Sequence, residues 1–286
     1  MEITVQATEL ADGKLSQSQL DKALEALRID GYVILENIVD HAHLDILRER
    51  MDADSQKLIA AEQWGGAGRI TGHLQQGPPP FPPYIFRDIV ANPFVVQVTK
   101  GLLGEGVFNN FYNGNTNCPG SSKQPLHTDG RHLWSGLKVG HPTATVVVNI
   151  SPMDVTEENG SVELWPGSHL DTGTDGGRID EEMEEARRAV RPPVRGNAKK
   201  GSVLIRDVRL WHRGVPNHSD SPRHMIAMIH NVRWLHRNRR LQFGKGCEAE
   251  FENSDLDANA EFVDVMYDYL SRESPNYRSF VYRPSR

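Results

Sequence analysis

The chain has 286 residues, a formal net charge of −6 and a sequence pI near 6.1. That length suits one large domain or two small ones, and the acidic balance argues against a broad basic surface for nucleic acid. Two cysteines, Cys118 and Cys247, are too few for a disulfide framework; with no membrane-length apolar run and no signal-peptide pattern, the expectation is a soluble, cytoplasmic protein.

The N-terminal part predicts helices. Leu20, Ala23, Leu24 and Leu27 recur at helical spacing behind Ser16, with Gln19 completing a capping-box pattern. Gly31 stops this helix, and Tyr32 to Leu35 reads as a short strand. A second helix is expected from Asp40 to about Ala61, with Leu44, Leu47, Met51, Leu58 and Ile59 on its apolar side. Gly65 to Pro83 is a long Gly/Pro-rich loop with Trp64 and Phe81 at its ends, which suggests a lid. Asp88 to Leu103 predicts a third helix, with Pro93 at an early-turn position.

From residue 107 the pattern changes to strands. Candidates are Val107 to Tyr112, Thr143 to Ile150, Ser161 to Trp165, Gly201 to Arg206 and His224 to Val232. Turn residues separate them, including Asn113-Gly114, Glu158-Asn159-Gly160 and Pro166-Gly167. A charged helix from Arg178 to Val190, inside a 171–200 insertion, reads as a surface excursion. The fold class is therefore mainly β with flanking helices: a sandwich or jelly-roll barrel. The chain is divided into a helical part (15–104), a barrel (about 105–245) and the insertion, taken together as one domain over 1–286.

Two segments carry chemistry: Gln124-Pro125-Leu126-His127-Thr128-Asp129-Gly130 and Trp211-His212-Arg213-Gly214. Two imidazoles and one carboxylate with open positions form the facial triad of non-heme Fe(II) oxygenases. Arg223, further along, offers a planar fork for a carboxylate. The pattern His-x-Asp occurs four times, also at His43/Asp45, His169/Asp171 and His218/Asp220. On a helix, i and i+2 diverge, which removes His43/Asp45. His218/Asp220 lies in a polar turn. His169/Asp171 follows Pro166-Gly167-Ser168 and stays in competition on spacing alone. Arg223 is expected to open a strand whose alternate residues Met225, Ala227 and Ile229 line the same wall.

Four ordered segments resemble the phytanoyl-CoA dioxygenase-like family of Fe(II)/2-oxoglutarate oxygenases, over about Leu15 to Val232. They are Asp30-Gly31-Tyr32-Val33-Ile34-Leu35, the Gln124 to Gly130 run, Glu158-Asn159-Gly160 through Pro166-Gly167-Ser168-His169, and Trp211-His212-Arg213-Gly214 through Arg223. The resemblance implies a double-stranded β-helix, a cupin-like barrel. It implies Fe(II) on His127, Asp129 and His212, with 2-oxoglutarate and O2 as co-substrates. Arg223 would hold the distal carboxylate of 2-oxoglutarate and Gln124 its C1 end, and His169 would be structural. Halogenating relatives lack the carboxylate that Asp129 supplies, which argues for oxygenation. Some relatives carry a hydroxyl where Val162 stands, so Asn115 or Thr145 is considered in its place.

The expected function is oxidation, foremost hydroxylation, of a C–H bond in a small specialised metabolite, releasing succinate and CO2. An acyl-CoA hydroxylase is the alternative; its phosphates would want Arg187, Arg188, Arg191, Arg195, Lys199 and Lys200. A non-catalytic metal-binding sensor has no use for a co-substrate anchor such as Arg223. Arg131 and Trp134, just past the metal segment, are the expected substrate contacts. The expected partner is a small molecule, with no nucleic acid and no membrane; a homodimer is left open.

Overall fold

The protein is described by a computed structural model covering residues 1–66, 69–174, 176–264, 268–271 and 273–278. After the short α1 (Ala7–Asp12), α2 (Gln17–Ile29) starts at Ser16, whose hydroxyl accepts from the Gln19 amide, and Gly31 follows it with φ of 80°. Asp40 caps α3 (His41–Ala60) by accepting from the Ala42 amide. The predicted helix over 88–103 is two helices, α4 (Arg87–Val90) and α5 (Pro93–Leu103). Asn92 caps the second by accepting from the Phe94 and Val95 amides, and Pro93 takes the position where no N–H is needed. Later come α6 (Glu181–Val190) and α7 (Pro275–Arg278). No helix among the described residues is long and apolar enough to cross a membrane.

The strands are β1 (Glu2–Thr4), β2 (Tyr32–Glu36), β3 (His73–Gln75), β4 (Phe108–Asn117), β5 (Thr145–Ile150), β6 (Glu163–Leu164), β7 (Val194–Arg195), β8 (Val203–Asp207), β9 (His212–Arg213), β10 (Arg223–Asn231), β11 (Leu241–Gly244) and β12 (Ala260–Val263). They form a seven-stranded sheet in the order β1-β2-β8-β5-β10-β4-β3, a three-stranded sheet β7-β6-β9 and a pair β11-β12. This is the mainly β architecture with flanking helices expected of a jelly roll.

Register decides what each face does. Val146, Val148 and Ile150 of β5 align with Ile226 and Met228 of β10 and with Val203 and Ile205 of β8. These aliphatic side chains face outward and pack with Leu24 and Leu27 of α2, Leu47 and Met51 of α3, and Phe94 and Val98 of α5. Each such fully buried side chain contributes about 1.5–3 kcal/mol. The alternate residues face inward, where Ile229 pairs with Val147 and Val147 with Arg206. One period-2 pattern thus serves a dry outer layer and a polar inner wall.

Three sequence expectations change. Asn113-Gly114 is not a turn: β4 runs through both, because Gly114 is there for close approach, a Cβ at that position falling 2.0 Å from the Met225 carbonyl oxygen. The 65–83 loop holds β3, which pairs with β4, and Gln76 bonds the Gly114 and Met51 carbonyls and Thr116. Its described part from Gly72 to Pro80 is mostly buried, with β3 built into the sheet, and positions 67–68 lie outside the described residues. The 171–200 insertion is no mere excursion, since Gly177 and Ile179 bond the metal segment directly.

Candidate metal centre

The segment holding His127 is clamped on both edges. His127 and His212 exchange both backbone hydrogen bonds, at 3.1 and 2.9 Å, so the two imidazoles sit directly opposite each other across an antiparallel pair. On the other edge the Thr128 amide bonds Gly177 O and the Ile179 amide bonds Leu126 O. The chain then turns: the Asp129 and Gly130 amides both bond Val208 O, at 3.1 and 3.0 Å. Gly130 allows that approach, because a Cβ there would lie 2.7 Å from a Val208 methyl.

The result is a compact donor set. His127 Nε2 lies 3.8 Å from Asp129 Oδ1, and His212 Nε2 lies 3.4 Å from Asp129 Oδ2. One donor from each of the three falls within 4.8 Å of the others. Each imidazole also has its Nδ1 bonded to the backbone oxygen two residues earlier, Pro125 O and Leu210 O, at 2.9 Å in both cases. A carbonyl accepts only from N–H, so in the neutral imidazole Nε2 carries the lone pair and is the nitrogen free for a metal. Burial would raise the Asp129 pKa, but the facing His212, Arg206 and His127 lower it overall, and Arg206 is the cation that keeps the carboxylate ionised once His212 is neutral. Burial first, with Arg206 second, pushes His212 down to about 3, so it is neutral and able to ligate.

The donors open on a cavity of about 310 Å³ between the two sheets. Arg223, Met225, Ala227 and Ile229 line it along β10, the alternation expected from sequence. Arg223 is 3% exposed. Its Nη2 donates to Gly160 O at 3.0 Å, while Nε and Nη1 are buried without a hydrogen-bond partner. Burial, with Arg195 adding to it, lowers its pKa to about 10, so it stays charged at neutral pH. No acidic side chain among the described residues pairs with it. A buried, unpaired guanidinium is costly unless an anion completes it. Gln124 lines the same end, its Oε1 accepting from the Gly214 amide at 2.9 Å. Val162 and Asn115 also line it, whereas Thr145 bonds Asn231 instead.

The donor set therefore fits Fe(II), and the orphaned Arg223 atoms fit the carboxylate of a bound co-substrate. His169, 1% exposed, sits in a turn with Nε2 on Arg28 O, outside the cluster. His43 is on α3 beside Asp88. Arg131 and Trp134, expected to touch substrate, are exposed and outside the cavity lining; Trp134 packs edge-on against His141. The apolar part of the lining comes instead from Phe111, Val147, Ile229 and Tyr277, which cluster at the end away from Arg223. Arg206 and Asn149 are further cavity residues that the sequence reading missed. A signal existed for Arg206: a cation inside the apolar run Val203 to Ile205 needs a buried partner.

The basic residues considered for acyl-CoA are dispersed. Arg188 pairs with Glu184, Arg191 with Asp30, Lys199 with Asp154 and Lys200 with Asp45. Arg187 and Arg195 donate to Pro166 O and Ser161 O.

The sequence profile of the phytanoyl-CoA dioxygenase family matches residues 27–225. An uncharacterised protein of Mycobacterium tuberculosis is 26% identical over 229 residues, spanning 75% of this chain and 76% of that one. A protein of Talaromyces verruculosus named dioxygenase cdmA is 24% identical over 223 residues, spanning 73% and 72%. Among solved structures, the non-heme α-ketoglutarate-dependent carbocyclase SnoK from nogalamycin biosynthesis shares the fold, with a TM-score of 0.55, 21% identity and coverage of 76% of this chain and 84% of its own. The chain belongs to the phytanoyl-CoA dioxygenase family and is a 2-oxoglutarate-dependent dioxygenase using Fe(II), 2-oxoglutarate and O2.

Proposed function

We propose that this enzyme oxidises a C–H bond of a small, largely apolar specialised metabolite, in the simplest case by hydroxylation. The balance is substrate R–H plus O2 plus 2-oxoglutarate giving R–OH, succinate and CO2. Bound Fe(II) and 2-oxoglutarate supply O2 activation coupled to oxidative decarboxylation. His127, Asp129 and His212 would hold the metal. Arg223 would bind the distal carboxylate of 2-oxoglutarate through its unpartnered Nε and Nη1. Gln124, whose Oε1 is occupied by the Gly214 amide, would offer its Nε2 to the C1 end. The relative named a dioxygenase supports the oxidation, and the fold neighbour from nogalamycin biosynthesis supports a specialised metabolite as substrate. So does the cavity: once one end of 310 Å³ is given to the co-substrate, the rest suits a modest apolar body between Phe111, Val147, Ile229 and Tyr277.

The observation that carries this reading is the unpaired Arg223. Losing its contacts with a carboxylate costs about 1.5–3 kcal/mol per charged hydrogen bond. Arg223→Ala should therefore raise the KM for 2-oxoglutarate by at least ~10-fold. Arg223→Lys should recover part of that, because it keeps the charge and loses the fork. The assay is succinate release during a screen of candidate metabolites, with 2-oxoglutarate affinity followed by calorimetry. Unchanged 2-oxoglutarate affinity in Arg223→Ala would place the anchor elsewhere.

A further inference from the structure

We propose that Arg206 is a positioning residue of the metal centre. It holds Asp129 Oδ2, so that the carboxylate offers the metal a single oxygen, Oδ1. The coordination face toward the cavity then stays open for 2-oxoglutarate and O2. This rests on His127, Asp129 and His212 being the ligands.

A carboxylate can bind a metal through one oxygen or two, and a facial triad works only while its open positions stay open. An Asp129 that swings to two-oxygen binding takes one of them. Arg206 opposes that swing. Its Nη2 lies 2.5 Å from Asp129 Oδ2, a charge-assisted contact to an oxygen that also stands 3.4 Å from His212 Nε2, whereas Oδ1 accepts no hydrogen bond among the described residues and faces His127 Nε2 at 3.8 Å. The guanidinium is itself restrained. Its side chain is 7% exposed, β8 pairs it in register with Tyr32 and Val147, and its Nε reaches Asn149 Oδ1 at 3.4 Å. The two backbones are also coupled, since the Asp129 amide bonds Val208 O, two residues beyond Arg206.

Packing alone gives no reason for this arginine. Its inward-facing neighbours on the same wall are Leu204, Val147 and Asn149, of which only Asn149 offers it a polar partner. A cation beside a metal dication is electrostatically unfavourable, and a purely apolar side chain would fill the position without that cost. What a guanidinium adds is a directional donor aimed at one oxygen of one ligand.

The test compares wild type, Arg206→Gln and Arg206→Lys. Each protein is first titrated with Co(II), whose visible d–d spectrum reports coordination. Each is then loaded anaerobically with Fe(II) and 2-oxoglutarate and exposed to nitric oxide as an O2 surrogate, with binding read by electron paramagnetic resonance. The expectation is a changed Co(II) spectrum and several-fold weaker nitric oxide binding in Arg206→Gln, substantially restored in Arg206→Lys. Identical spectra and nitric oxide affinity in all three proteins overturn the proposal. So does an equal loss in both variants, because lysine still brings a charged donor to Oδ2 where glutamine brings a shorter, neutral one. If wild type binds no Co(II), the ligand assignment has failed along with it; if wild type binds and the variants match it, only the role of Arg206 has. Should Arg206→Gln not fold, a crystal structure of the wild-type Fe(II) protein decides. Asp129 bound through Oδ1, with Oδ2 on Arg206, agrees; two-oxygen binding or ligation through Oδ2 overturns it.

Discussion

Asp129 stands between two positive demands, the metal and Arg206, and its removal should show both. Asp129→Ala is expected to lose stoichiometric metal binding, measured by metal analysis after Fe(II) or Co(II) loading. It should also lower stability, because the buried Arg206 loses the partner at 2.5 Å; breaking a fully buried pair costs about 3–5 kcal/mol, and the 27% exposure of the Asp129 side chain puts this loss below that range. Asp171→Ala is the control, since among the described residues that carboxylate accepts from the Gly173 amide and lies outside the donor cluster. Full metal content in Asp129→Ala would end the assignment. At this scale much was readable beforehand. The spacing of His127 and Asp129, the turn around His169 and the position of Arg223 at a strand start are all local patterns. Arg206 was hidden because it sits in an apolar strand that reads as core, and its partner is 77 positions away in the chain. The apolar side chains that line the cavity were hidden for a similar reason. Proximity in sequence to Asp129 favoured Arg131 and Trp134, while the cavity is walled by Phe111 and Tyr277, brought in from other strands and from α7.

Individual elements were legible where the period was long and misread where turn chemistry had two explanations. The helices over 17–29 and 41–60 and the strand over 145–150 follow from period and caps. Asn113-Gly114 reads as a turn, yet the chain there is extended, and the glycine serves the passage of β10 across β4. This predicts a test. Gly114→Ala drives a methyl to 2.0 Å from the Met225 carbonyl oxygen, and backbone cannot yield as a flexible side chain can. Overpacking of this kind costs about 1–3 kcal/mol or more. The shift falls two residues from Arg223, so weakened 2-oxoglutarate binding should accompany a lower melting temperature. Thermal unfolding and calorimetry on one preparation measure both. A variant with unchanged melting and unchanged affinity would mean that the two strands separate more freely than their register implies. The edge strand β3 was missed because Gly and Pro dominate its surroundings, and only pairing with β4 makes His73 to Gln75 a strand.

Across the whole molecule, the site depends on segments far apart in the chain. The cavity takes Gly66 and Gln75 from before β4, the metal donors from 127 to 212, Arg223 from β10 and Tyr277 from α7. Asn276 fastens α7 to β11 by exchanging hydrogen bonds with Gln242 at 2.7 and 2.9 Å. Charge is arranged on the same scale, and it bears on substrate class. The family takes its description from an acyl-CoA enzyme, and a coenzyme A substrate brings phosphates that call for a cationic surface. Here the cations of the insertion point to separate acidic partners: Asp30, Asp45, Asp154 and Glu184. Exposed pairs are individually weak, about 0–1 kcal/mol. Their collective effect is nonetheless to neutralise the local field, and the chain as a whole carries −6. With four of the six basic residues paired in this way and Arg187 and Arg195 spent on backbone oxygens, the positive field available to gather a polyphosphate is weakened. Coenzyme A and palmitoyl-CoA titrated calorimetrically at low salt should therefore show no saturable binding, or a Kd no tighter than ~1 mM. Micromolar binding that weakens with added salt, and weakens again in a Lys199→Gln, Lys200→Gln double variant, would return the acyl-CoA reading to first place. Weak or absent binding leaves the apolar pocket beside Phe111 and Tyr277 as the feature that selects the substrate.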